Sequence, residues 1–439
     1  MKQKPGFILT LFFITVILFC GRGFLMAKPV ISLEDAYRLA LSRSEAIMVA
    51  EEVLIQSEAE EKRMKSFLFP KITADVDYFQ RSSPVTRRFG GSPNPITLRP
   101  KSETQFNLIL SQPLYSGGRA RAAYRSSQLG TKQRDLELTQ TREDLLFEVA
   151  RAYYEALKGK NNVKIGEEEV VRLLAHRRNA ARRLEVGEET KTVLLRAEAE
   201  LSDARAKLIR ARNAHTIAKD RLSLLARIHG DFELVDPPVL RLSDHSEAEW
   251  TRMAHEGRIE LTRGGIAIDR ASEEINSARG NFLPSLSLEL EYRWNNQAPE
   301  GDFLVDQDRI AIVKLRMPIF EGMLRMAELR QARSRYLQSV LLRQQMKDEI
   351  EVSVRRAILD LSSLTGELIH LEDRLRFAKE AFSLASKQFT VGLGTHIDVL
   401  DANSVLRNAE RQLSNTRYDR EIAILRLKKE AGSLSPQSE

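Results

Sequence analysis

The sequence predicts a mainly α-helical protein with a membrane β component: long coiled-coil helices plus a few β-strands, built as two internal repeats. Three observations carry this. A segment is written twice, the prolines fall in a repeating rhythm, and one connecting segment alternates strictly between apolar and polar residues.

The repeat is the strongest of the three. Val186-Gly187-x-x-Thr190 recurs as Val391-Gly392-x-x-Thr395, an offset of 205. The offset then holds for dozens of residues: Ala197, Leu201, Ala204 and Leu208 match Ala402, Leu406, Ala409 and Leu413. Identities spaced four, three and four apart mark one face of a helix, so a buried stripe has been duplicated. Earlier in the chain Ala40 and Pro70 match Ala254 and Pro284 at an offset of 214. The difference lies between Pro70 and Val186, and the Pro/Gly-rich stretch Ser82–Lys101 is the place for it. The reading divides the chain into a leader (1–27), a first repeat (28–236), a second repeat (237–431) and a flexible tail (432–439).

The leader has Lys2 and Lys4 ahead of the apolar run Phe7–Cys20. That run is shorter than the ~20 residues needed to span a bilayer and suits the core of an export signal, with cleavage after Ala27. A retained anchor is the alternative. Cys20 is the only cysteine, which leaves no disulfide framework. Lipidation of Cys20 is disfavoured by Phe19, where lipoprotein signals carry a small residue.

The proline-free runs 30–69, 114–236, 239–283 and 319–435 alternate short, long, short, long. They are rich in Ala, Leu, Arg, Glu, Lys and Gln, which favour helix. Each long run breaks at its Val-Gly, giving a helical hairpin. An arm such as Arg119–Leu184 reaches about 99 Å at ~1.5 Å per residue, a length that requires coiled-coil partners.

Between the short and long runs lie the predicted strands, in hairpins at about 71–112 and 285–317. Ser285–Trp294 places Leu286, Leu288, Leu290, Tyr292 and Trp294 on one face. Ser285, Ser287, Glu289, Glu291 and Arg293 fall on the other, a pattern that suits a strand facing lipid. Arg309–Met317 pairs with it; Ile72–Phe79 and Gln105–Gln112 are the first-repeat equivalents, joined by the loop Ser82–Lys101. Four strands cannot close a membrane barrel, and an open edge in lipid leaves backbone groups unsatisfied at several kcal/mol each. The strands must be pooled between chains.

Net charge is +7 with pI near 9.3, yet acidic and basic residues are interleaved as on solvated helix faces, so a nucleic-acid role is excluded. The seven histidines are scattered without metal-ligand spacing, no phosphate-binding or dinucleotide loop is present, and no cofactor is expected. The chain is not read as an enzyme. A periplasmic coiled-coil adaptor and a soluble scaffold are the competing readings. An adaptor predicts one hairpin flanked by lipoyl-like β segments, and a scaffold explains neither the leader nor the alternating strand.

Several ordered segments resemble the TolC family of outer-membrane efflux and secretion channels. They are Ile31-Ser32-Leu33-Glu34-Asp35-Ala36 at the first helix, then Phe67-Leu68-Phe69-Pro70 and Phe282-Leu283-Pro284 ahead of the strands. Gln112-Pro113-Leu114-Tyr115-Ser116-Gly117-Gly118 and Met317-Pro318-Ile319-Phe320-Glu321-Gly322 follow the strands. The most specific is Val391-Gly392-Leu393-Gly394-Thr395-His396-Ile397-Asp398-Val399-Leu400-Asp401-Ala402. The resemblance implies a homotrimer with a twelve-stranded barrel in outer-membrane lipid and a helical barrel across the periplasm. It implies a passive channel of a tripartite efflux or type I secretion system, partnered by a periplasmic adaptor (membrane fusion protein) and an inner-membrane transporter. The constriction aspartates of the family map onto Asp398 and Asp401. The adaptor-docking tips map onto Val186, Gly187, Thr190, Val391, Gly392 and Thr395. Two positions depart from the pattern: Gly394 stands where gated members carry Arg, and Phe389 where they carry Tyr. The polar links of those members are therefore not carried over.

Overall fold

The computed structural model describes residues 29–88, 90, 95–242, 244–301 and 304–434. The leader with Cys20 and the last five residues of the predicted tail lie outside them.

Each repeat runs through two short helices, a β-hairpin and a long helical hairpin. The first has α1 (Leu33–Arg43), α2 (Glu45–Ser66), β2 (Lys71–Gln80), β5 (Ser102–Tyr115), α3 (Arg119–Glu185) and α4 (Lys191–Ala226). The second has α5 (Glu247–Gly257), α6 (Ile259–Gly280), β7 (Ser285–Ala298), β8 (Gln307–Arg316), α7 (Leu324–Thr390) and α8 (His396–Glu430). The arms α3 and α7 have 67 residues each, about 100 Å of helix.

The short helical runs are not continuous. Ser44 and Arg258 leave the helical region with ψ of 122° and 120°, ending α1 and α5 and starting α2 and α6. The two positions are 214 apart, the repeat offset, so the bend is a duplicated feature. Gly257 immediately precedes the second bend, whereas no Pro or Gly adjoins the first. The bend lets α1 and α5 dock Ala36, Ala40 and Ala254, all fully buried, onto the long helices. Two cores form there. One surrounds Tyr153, Tyr154 and Leu157 and includes Phe232; the other surrounds Trp250, Val354 and Ile424. A two-residue parallel pairing of β1 (Val30–Ile31) with β6 (Glu233–Leu234) ties the start of the chain to the first core, clamped by the Tyr153 hydroxyl between the Ile31 and Val235 carbonyls.

Strands β2, β5, β7 and β8 form one antiparallel sheet in that order. Its register aligns the apolar faces. Leu110 sits opposite Ile72 on one side and Leu290 on the other, and Leu290 opposite Ala311; the next row brings Leu108 to Tyr292. Ile72, Leu108, Leu110, Leu290 and Tyr292 line one shallow apolar depression. The reverse face carries Asp75, Asp77, Asn107, Glu289, Glu291, Arg293 and Lys314, with Glu289 paired to Lys314 and Arg293 to Glu291. Among the described residues the outer edges of β2 and β8 have no strand partner.

Two strand details differ from the sequence reading. β5 continues past Gln112 to Tyr115 through a bulge at Pro113, which has no N–H to give the ladder. The stretch 82–101, read as a loop, holds a small hairpin of β3 (Val85–Arg87) and β4 (Ile96–Arg99). Its β-branched Val85, Thr86, Ile96 and Thr97 were masked by the surrounding prolines.

Where the sheet meets the helices, Gly117 and Gly280 lie back to back. A Cβ on Gly117 would strike the Gly280 carbonyl oxygen, and one on Gly280 would strike that of Gly117.

Candidate functional site

The helical tips hold the residues that the resemblance singled out, and the two tips share one construction. α3 ends at Val186 and α7 at Val391, followed by Gly187 and Gly392 in the left-handed region at φ 79° and 78°. The Glu188 N–H donates to the Arg183 carbonyl, and the Leu393 N–H to that of Gln388, at 2.8 and 2.9 Å. This six-to-one bond terminates a helix around glycine, which adopts φ > 0 without the Cβ penalty. Thr190 and Thr395 then start α4 and α8 in the extended region. The turns push Val186, Val391 and Leu393 into solvent, at 69, 69 and 83% exposure. Leu393 was not singled out from the sequence, although its place between two glycines is that of an unsupported apolar tip.

The tips differ in their caps. The Asp398 carboxylate accepts the Thr395 N–H at 2.9 Å and hydroxyl at 2.6 Å, while the Asp398 N–H donates to the Thr395 hydroxyl. These hydrogen bonds hold the Asp398 carboxyl below its ordinary range. Thr190 makes no side-chain cap, since Val193 stands in the equivalent of Asp398. Asp401 lies one turn further along α8, exposed, on the same helix face as Asp398. Asp398 is therefore engaged in helix capping, and Asp401 is not.

Below the tips, two kinds of helix seam run side by side. Inside each hairpin the seam is apolar. Ala197, Leu201 and Ala204 of α4 and Leu173 of α3 are buried, and Leu406 and Ala409 of α8 pack on Ala378 of α7. These are the duplicated stripe residues. Between the hairpins, α3 and α8 share the core at Leu157, Ile422 and Leu425 and, from there toward the tips, meet through polar side chains. Lys158 pairs with Asp419 at 2.8 Å, and Asn162 donates to Asn415 at 3.0 Å. Glu169, 1% exposed, takes Arg407 at 2.5 Å, while Arg172 reaches Asn403 and Glu410. The α3 residues recur at steps of four, seven, three and four, the spacing of one coiled-coil seam.

The last contact of that seam is between histidines. His176 Nε2 lies 2.6 Å from His396 Nδ1, with both residues buried and the rings stacked at 4.5 Å. Phe389, buried beside them, stacks 5.4 Å from His176 and lies under the Arg183 guanidinium at 4.6 Å. Arg183 also donates to the Thr390 carbonyl at 2.8 Å. The sequence reading treated the histidines as scattered because 220 residues separate the pair. Only the internal repeat, which folds both arms onto one axis, could have brought them together. No grouping of three or more His, Cys, Asp or Glu fit to hold a metal occurs among the described residues.

An open-edged sheet with one apolar and one polar face, carried on paired helices of about 100 Å, defines a class. The chain is one protomer of a membrane channel that pools its strands and helices around an axis. The chain belongs to the outer membrane efflux protein family, whose profile matches residues 36–226 and 250–433. It is 26% identical over 327 residues to the outer membrane protein TolC of Vibrio cholerae, covering 70% of this chain and 72% of that protein. The alkaline protease secretion protein AprF of Pseudomonas aeruginosa is also 26% identical, over 336 residues, with 74 and 69% covered. Among solved structures, CusC superposes with a TM-score of 0.80 at 18% identity over 91% of this chain and 92% of that one. The Vibrio cholerae outer membrane protein VceC superposes at 0.78 and 17% identity, with 91 and 96% covered. The family consists of channel proteins. The molecule is placed in the outer membrane and extends into the periplasm, and its barrel is completed by trimerisation.

Proposed function

We propose that the trimer is the passive outer-membrane conduit of a tripartite efflux or type I secretion assembly. A periplasmic adaptor docks on the tips formed by Val186, Gly187, Thr190, Val391, Gly392 and Thr395, and an inner-membrane transporter supplies energy and substrate. In this reading the repeat units 28–236 and 237–431 each contribute one β-hairpin and one helical hairpin. Asp398 and Asp401 then form two rings of three carboxylates at the periplasmic neck. Such rings favour cations, because low-dielectric walls focus their field.

The observation that carries the conduit is the sheet. Its apolar rows align across four strands, its reverse face is charged, and its two edges are open, so in lipid it is satisfied only by neighbouring copies. The likeness to secretion and efflux relatives supports the same assembly. A single-hairpin adaptor does not fit two helical hairpins, and a soluble scaffold does not fit the lipid-facing rows.

The apolar row of β7 extends from Leu286 to Trp294, so its centre is Leu290 rather than Leu288. Leu290→Arg is expected to cost about 2–4 kcal/mol at the bilayer midplane, with Leu288→Arg next. Glu289→Arg, on the wet face beside Lys314, is expected to lose less than half of that. Membrane assembly of the variants, scored as detergent-resistant trimer, makes the comparison. Equal tolerance of Leu290→Arg and Glu289→Arg would falsify the barrel assignment.

A further inference from the structure

We propose that the buried His176–His396 contact is an acid-sensitive catch that holds the two helical hairpins of each protomer together at the periplasmic tip and releases when both rings take up protons. The proposal rests on the conduit reading above, because it assigns this contact a role in keeping that channel shut.

The contact is built as a catch and not as ordinary core. It is the last link of the polar α3–α8 seam before the tip, where packing is thin. A cavity of about 230 Å³ opens beside it, lined by His176, Phe382, Phe389, Leu400 and Asn403 among others. At 2.6 Å the two ring nitrogens share one proton, one donating and the other accepting. In either tautomer His396 Nε2 is buried with no hydrogen-bond partner. One orphan polar atom makes the pair strong enough to register the hairpins yet weaker than a fully satisfied network.

One added proton leaves a single cation that still donates across the contact, and a second added proton fills both facing nitrogens, removes the bond and sets two cations side by side in a buried site. Burial, together with the adjacent His396 ring, holds His176 down to about 4, and burial lowers His396 as well. The charged groups facing the pair come from α3, the first tip turn and α4. Glu189 in the first tip turn and Glu200 on α4 favour the charge on His396, and Arg196 on α4 opposes it. On α3, Arg172 lines the same cavity, and Arg183 lies over Phe389 and reaches Thr390. α7 and α8 turn only uncharged side chains into that cavity, Ser386, Phe389 and Asn403 among them. Among the described residues no carboxylate is hydrogen-bonded to either ring to neutralise the added charge.

The linkage has a definite sign. In the closed contact the histidine pKa lies below its free value, so the open form binds more protons as pH falls through about 6.5. Acid therefore favours opening, and neutral pH favours closure. For one histidine passing from about 4 when closed to 6.5 when free, the open-to-closed ratio rises about twentyfold between pH 7 and pH 5.

Hydrogen exchange of the intact trimer in detergent, corrected for intrinsic rate, reads the catch at peptides covering 170–190 and 386–405. Protection there is expected to fall about twentyfold or more from pH 7 to pH 5, while peptides in the central cores change little. Single-channel conductance in planar bilayers is recorded across the same range and should rise with acid. The double variant H176Q with H396N retains a hydrogen bond from the matching atoms without a titrating ring. It is expected to assemble as trimer and to lose the acid response. Wild-type tip protection that does not change with pH overturns the catch whether or not the channel conducts, and so does a double variant with an unaltered profile. If the double variant fails to assemble, the wild-type exchange profile decides. A protein that loosens at the tip on schedule but never conducts leaves the catch standing and overturns the conduit.

Discussion

The seam inside each hairpin and the tip-ward part of the seam between the two hairpins lie side by side but bury different groups, apolar side chains in the first and ion pairs and histidines in the second. Inside, Leu201 and Ala204 or Leu406 and Ala409 are buried in apolar contact. Between them, Glu169 meets Arg407, Arg172 meets Glu410, and His176 meets His396. Apolar packing has no competing partner in water, so separating it exposes surface at a cost of ~25 cal/mol per Å². Polar seams can re-form with water or with another register. The contrast shows where the structure is permanent, within each hairpin, and where it can slide, between hairpins.

Glu169 gives the largest effect that could break the contrast. Its carboxylate and the Arg407 guanidinium are 2 and 13% exposed. Glu169→Ala leaves a buried cation unpaired and is expected to destabilise the inter-hairpin seam by about 3–5 kcal/mol, read as local hydrogen exchange. Glu169→Met with Arg407→Leu should instead be neutral or stabilising and should lower open probability in bilayers. If that pair opened the channel, the polar seam would not be the sliding one. Leu406→Ala follows, at about 2–4 kcal/mol from the cavity left in a buried site, and should lower melting temperature without changing gating.

Smaller effects sharpen the assignment at the tips. Asp401→Asn should reduce cation selectivity and block by trivalent cations with melting temperature unchanged. Asp398→Asn should do the same and also lower melting temperature slightly, since it weakens the Thr395 cap. A selectivity unmoved by both changes would remove the ring role. Charge at Val186 and Val391 together should leave trimer yield and stability almost unaltered, because both side chains are mostly in solvent. Efflux or secretion should nonetheless fail. Photo-cross-linkers there that never capture a periplasmic protein in cells would rule out docking.

Much of this was legible in the sequence. The repeat offset, proline spacing and Val-Gly breaks located the turn of each helical hairpin and the arm α3 to within a residue, because helix breakers act locally. The alternation of Ser285–Trp294 identified the apolar face of the sheet for the same reason. What the sequence hid was non-local or unmarked. The bend at Ser44 has no breaker beside it, and Gly257 before the bend at Arg258 was not singled out. The β1–β6 pairing spans two residues only. The polar α3–α8 seam was read as a solvated helix surface, since Lys158, Glu169 and Arg172 do not reveal that Asp419, Arg407 and Glu410 lie opposite. Asp398 was legible as both cap and constriction residue, and the structure places its carboxylate in the cap.

The facing glycines at the base of the sheet give the assembly a different kind of order. Gly117 leaves the first strand pair and Gly280 approaches the second, so their contact welds the two repeats of one chain without any side chain between them. By the repeat offsets their counterparts are Gly322 and Ser66, so a corresponding contact between chains has a hydroxymethyl group on one side. Met323, the counterpart of Gly118, also holds a left-handed φ of 68° that glycine would adopt without strain. Around a trimer the six joints between barrel and helices therefore alternate in kind. The duplicated chain, sixfold in outline, is thus threefold in its residues at these joints.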